Sequence, residues 1–170
     1  MPGAINILPK QRVQVQKLKV DLEALYKHLH AWLEWRGFNV VEKKYRKRMS
    51  GEIIAEMTIE WVAIKEIDSY TAYQILITFD CYGLKESKIE VEGVTRKVYE
   101  GDINVYIQAD LLLDYQQKWE SSPFLKFLQH FFENFIYKSK IETYKSELWE
   151  ISWALFNEVK AFLNLYRWIS

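Results

Sequence analysis

The residues best suited to metal or acid–base work are three histidines, a lone cysteine and a set of strand aspartates. His28 and His30 stand two apart in a stretch of helical periodicity, so their side chains diverge by roughly 200° and cannot share a metal ion. His130 lies far away in the chain. Asp80, Asp110 and Asp114 occupy the even positions of alternating segments. There they are expected to solubilise a wet sheet face rather than to work as a carboxylate pair. Cys81 falls on the apolar, odd side, where a thiol behaves as a small hydrophobe. No Cys-x-x-Cys pair, phosphate-binding glycine loop, GxGxxG turn or nucleophile elbow is present. The sequence therefore offers no catalytic residue, metal site or cofactor motif. It leans away from an enzyme, although a site assembled from distant residues would leave no local trace.

Three binding surfaces remain. The first is Lys43-Lys44-Tyr45-Arg46-Lys47-Arg48, five cations around a tyrosine. Such a strand could follow a phosphate backbone while Tyr45 stacks on a base. The plainer account is a strand whose outward charges pair with Glu52 and Glu56 on its neighbour. The second surface is an extra apolar stripe on the last helix, formed by Trp149, Trp153, Phe156 and Leu163. A helix lying on a sheet needs only one stripe, so this one is covered by another helix or offered to a partner chain. The third is an apolar pocket between sheet and helices, with Met57, Trp61, Tyr73, Phe79, Phe131 and Phe135 as candidate walls. Its plainer account is a packed aromatic core.

The elements that must carry these residues follow from periodicity. Leu18, Leu22, Leu25, Leu29, Trp32 and Leu33 mark a helix within 13–35, stopped by Gly37. Alternation then predicts strands over 38–48, 53–63, 73–81 and 103–113. A three-residue loop around Gly51 would pair Val41 with Ile59, Tyr45 with Ala55, Lys44 with Glu56 and Arg48 with Glu52. Residues 88–99 read either as one strand bulged at Gly93 or as two strands turning at Glu92-Gly93, and Glu100-Gly101-Asp102 reads as a further turn. After Trp119 the period is helical again. Ser122-Pro123 caps a helix bearing Phe124, Phe127, Phe131 and Phe135, and a longer helix spans about 140–168.

The expected fold is α+β: an N-terminal helix, an antiparallel β-meander of five or six strands, and two C-terminal helices packed on one face. In the helix-grip carriers of apolar ligands a long helix also lies across an antiparallel sheet, but the order of elements read here does not match theirs. A chain of 170 residues fits a single domain, with 1–12 expected as a flexible segment. Its one cysteine cannot form an internal disulfide, and no stretch approaches the roughly 20 apolar residues of a membrane span. A cytoplasmic setting without membrane involvement is the simplest expectation. Net charge is zero, but residues 1–50 carry 11 Lys/Arg against 4 Asp/Glu and residues 51–120 carry 6 against 14. These opposed charges and the extra stripe favour a non-catalytic module acting through protein–protein contact as a homodimer. Nucleic-acid binding and small apolar ligand binding are the alternatives.

Overall fold

The computed structural model describes residues 3–116 and 122–169; the expected switch to helical periodicity after Trp119 falls partly outside them. The described elements run β1 (Gly3–Val15), β2 (Lys19–Val20), α1 (Leu22–Trp35), β3 (Asn39–Ser50), β4 (Ile53–Glu66), β5 (Thr71–Val91), β6 (Val94–Leu113), α2 (Pro123–Phe131), a π-helical turn (Phe132–Ile136) and α3 (Lys138–Ile169). The sheet is antiparallel with order β1-β6-β5-β4-β3, and β2 extends the β1 edge along β6. This is the expected α+β class.

Local chemistry accounts for most boundaries. Asp21 caps α1 by accepting from the Ala24 N–H at 2.9 Å. At the other end Gly37 takes φ +90°. Gly37 N–H donates to Glu34 and Phe38 N–H to Leu33, the paired bonds of a glycine-terminated helix. Ser122 caps α2 through the Leu125 N–H, with Pro123 at the first helical position. Glu92 and Gly93 both adopt positive φ, so 88–99 is a tight hairpin rather than a bulged strand.

The amino-terminal expectation is overturned. Residues 3–15, most of them assigned to a flexible segment, pair with β6 from Gly3↔Leu113 to Val15↔Ile103. The helix starts at Leu22, not near Val13. Register shifts around Leu8 break the alternation, and Pro9 is tolerated because β1 is an edge strand. Leu18 and Leu22 continue the leucine spacing of α1 backwards, which mimics a longer helix. Two buried aspartates correct the expectation of a wet face. Asp110 accepts from Asn6 Nδ2 at 2.8 Å and Gln108 Nε2 at 3.1 Å, and Asp114 is buried as well.

The β3–β4 register also differs from expectation. Ser50 pairs with Ile53 across a two-residue turn, and irregularities fall between Glu42 and Lys44 and between Arg48 and Met49. Gly51 has φ +63° at the first turn position, the sign of a type II′ hairpin. Tyr45 faces Ile59, Lys44 faces Glu60 and Arg48 faces Glu56. The bulge at Lys43 reverses parity, so Val41 is turned out and Val40 turned in against Ala63.

The odd residues of β5 and β6 form the floor of one continuous core, covered by Leu25, Leu29 and Leu33 of α1 and by Leu148, Leu155 and Val159 of α3. The two helices are tied by the His28–Glu158 contact at 2.7 Å. Across this sheet runs a line of interruptions. It comprises the β3–β4 irregularity beside Ala55, the β5–β6 shift between Tyr82 and Lys85, and the gap between β1 and β2.

The β5–β6 shift spans Gly83 and Leu84, and Gly83 has φ +61°. Because each interruption resets the alternation, Ile54 and Leu84 join Met57 and Cys81 on the same side, and the sheet bends there. Glu100-Gly101-Asp102 is accordingly no turn but the middle of β6. A Cβ on Gly101 would lie 2.7 Å from the Gly83 carbonyl oxygen and 2.9 Å from that of Tyr82. Both are backbone atoms that cannot rotate away. Gly101→Ala should therefore cost about 1–3 kcal/mol, read as a lowered midpoint in urea. An unchanged midpoint would show that the bend is not held by this close approach.

The opposite end of the sheet is held by polar contacts. Asp68, in the β4–β5 turn, accepts from the backbone N–H groups of Tyr70 and Thr71 at 2.8 and 2.7 Å. It also accepts from the hydroxyls of Tyr137 and, at 3.3 Å, Tyr144. Tyr70 in turn donates to Glu133. This turn therefore pins the start of α3 to the sheet.

Candidate functional site

At the bend, beneath the first turns of α1, a cleft of about 370 Å³ opens on the core face. That volume lies within the roughly 300–1,000 Å³ of small-molecule sites. Its floor is apolar: Ile54, Met57, Ile59, Phe79, Cys81 and Leu84. Leu22 and Tyr26 close it from the helix side, and Tyr99 from β6. Parity set by the bulge at Lys43 brings Glu42, Tyr45 and Lys47 to its rim.

The charged groups of the rim are unequally engaged. Glu42 accepts from the Tyr26 hydroxyl at 3.0 Å; burial, then this bond, raises the Tyr26 pKa. Glu23 pairs with Lys27 at 2.8 Å, and the hydrogen bond from that lysine lowers the Glu23 pKa. Lys47 forms no ion pair among the described residues. In the floor, burial pushes the Cys81 thiol up to about 12, so it stays protonated at neutral pH and acts as wall, not nucleophile. Behind the wall Trp61 is 1% exposed and meets Tyr26 and Phe79 edge-on at 4.7 and 5.0 Å.

The structure separates the residues that the sequence grouped. Of the six pocket candidates, Met57 and Phe79 line the cleft. Trp61 and Tyr73 are wholly buried in the core, and Phe131 and Phe135 are exposed on α2 and the π-helical turn. In the basic strand, Lys44 and Arg48 lie on the outer face near Glu60 and Glu56, each at 3.8 Å. Arg46 shares that face opposite Thr58, whereas Tyr45 and Lys47 point to the cleft side and Lys43 is the bulged residue. Tyr45 is therefore on the opposite face of the strand from Lys44, Arg46 and Arg48. On α3, Leu163 is buried, Trp153 and Phe156 are half-buried against the core, and Trp149 is 48% exposed. β1 runs beside them: Arg12, Val13 and Val15 line a shallow groove with Phe156 and Leu163, and Ile5 and Ile7 line another with Trp149.

Sequence reasoning missed Tyr26, Glu42, Ile54, Leu84 and Tyr99 as cleft residues. Isolated glycines inside a strand pattern signal bulges, so Gly83 and Gly101 could have marked the bend. The bulge at Lys43 carries no such mark. Among the described residues no group of three His, Cys, Asp or Glu is placed to hold a metal ion. No protein-family model, curated protein or solved structure matches the chain.

Proposed function

We propose that this protein is a non-catalytic binding module for a small, mainly apolar molecule carrying an acidic group. The observation that supports this reading is the apolar cleft at the bend of the sheet, with Lys47 on its rim free of any ion pair among the described residues. The apolar body would rest on Met57, Phe79 and Leu84, and the acidic group would meet Lys47 and the Tyr45 hydroxyl. The lone, buried Cys81 suits a reducing, cytoplasmic setting.

The test is titration with a medium-chain fatty acid, followed by native mass spectrometry and displacement of a fluorescent apolar dye. One-to-one binding is expected. Met57→Trp should fill the cleft and weaken binding at least about ten-fold. Lys47→Glu should discriminate against the acid while sparing the matching alcohol. Equal binding by both variants would remove the proposal. A homodimer through the α3 stripe ranks lower, because Trp149 is the one member of that stripe left exposed. Nucleic-acid binding ranks lower because the outward cations Lys44 and Arg48 of β3 face glutamates.

A further inference from the structure

α2 and the π-helical turn present a second apolar surface. Phe124, Phe127, Phe131, Phe135 and Ile136 are all exposed, Phe135 by as much as 73%. The four phenylalanines recur at spacings of three and four, so they share one helix face, and Phe131 and Phe135 are in ring contact at 5.0 Å. The inward face is a different set: Leu125, Leu128, Gln129, Phe132 and Glu133 are half-buried. The helix thus spends its inward side on the fold and leaves the aromatic side uncovered.

Charge indicates what covers it. Lys126, His130, Lys138 and Lys140 lie within or just after the segment that carries the aromatic row and are exposed. None of the three lysines forms an ion pair among the described residues. The one acid of α2 and the turn, Glu133, is occupied by Tyr70 and Gln129. A row of exposed phenylalanines with exposed cations nearby in the chain matches a helix lying in the interface of an anionic bilayer. A second copy fits poorly, because a two-fold contact through this segment would bring two sets of like-charged cations together. No described helix is long and apolar enough to cross a membrane, so the attachment is peripheral. We infer that the Phe124–Ile136 face docks on the surface of a bilayer rich in anionic lipid, independently of what the cleft binds.

The experiment is co-sedimentation of the full chain with vesicles of phosphatidylcholine alone or mixed with phosphatidylglycerol. Binding to the mixed vesicles, weakened by salt, is expected. Each of Lys126→Gln, Lys138→Gln and Lys140→Gln should weaken it about five-fold, and Phe127→Ser with Phe131→Ser should abolish it. These side chains are exposed, so the variants should melt within a few degrees of the parent, which checks that they are folded. Failure to sediment with either vesicle would overturn the inference. So would undiminished binding by the double variant, or a lipid-free dimer that the double variant dissociates.

Discussion

Trp61→Ala should destabilise the fold by about 3–5 kcal/mol, the usual cost of truncating a buried tryptophan. The side chain is fully buried and packs against Tyr26, Phe79 and His30. Tyr26 and Phe79 are also cleft walls, so the vacated space would open behind the cleft. The melting temperature should fall by about 10 °C. Indole should recover part of the loss by occupying the space, since a ligand that binds only the native state stabilises it by mass action. Trp61→Phe should cost less than half as much. Equal losses in the two variants would mean that ring volume behind the cleft is not what matters, and no recovery with indole would mean that the space collapses.

Asp68→Asn should have the second large effect, about 2–3 kcal/mol at neutral pH, because hydrogen bonds to a charged acceptor are among the stronger ones. Burial alone would raise the Asp68 pKa, but hydrogen bonds from Tyr137 and from the backbone of Tyr70 and Thr71 outweigh it and hold the carboxyl below its ordinary value. A group whose folded pKa is depressed stabilises the fold above its unfolded pKa, about 4. That contribution fades as pH falls through the folded value. Urea unfolding of parent and variant should therefore show a wide gap at pH 7 that narrows below about pH 4. A gap independent of pH would show that the charge on Asp68 is not what holds the turn against Tyr137 and Tyr144.

The sequence made the inward faces of β5 and β6 legible, because Tyr73 to Cys81 and Ile103 to Leu113 alternate without interruption over their buried stretches. It also revealed the end of α1 and the start of α2, since Gly37 and Ser122-Pro123 act through bonds within a few residues. What it hid depended on neighbours distant in the chain. β1 is a strand by virtue of β6, and its broken alternation says little by itself. A bulge changes parity by one residue, so alternation carried back from Tyr45 turns Val41 inward and Glu42 outward, the reverse of their placement in the sheet. Met57 and Phe79 were found because they lie between the interruptions, where parity is undisturbed.

The pairing of β1 with the end of β6 has a consequence for how the chain reaches this state. The hairpins β3–β4, β4–β5 and β5–β6 close through short turns and can form from nearby residues. β1 must instead bridge a loop of about a hundred residues before Gly3 meets Leu113, and that closure is rewarded only when β6 already exists. Within this sheet the strand earliest in chain order is thus among the last to be fixed, and its apolar residues wait exposed until the meander is complete.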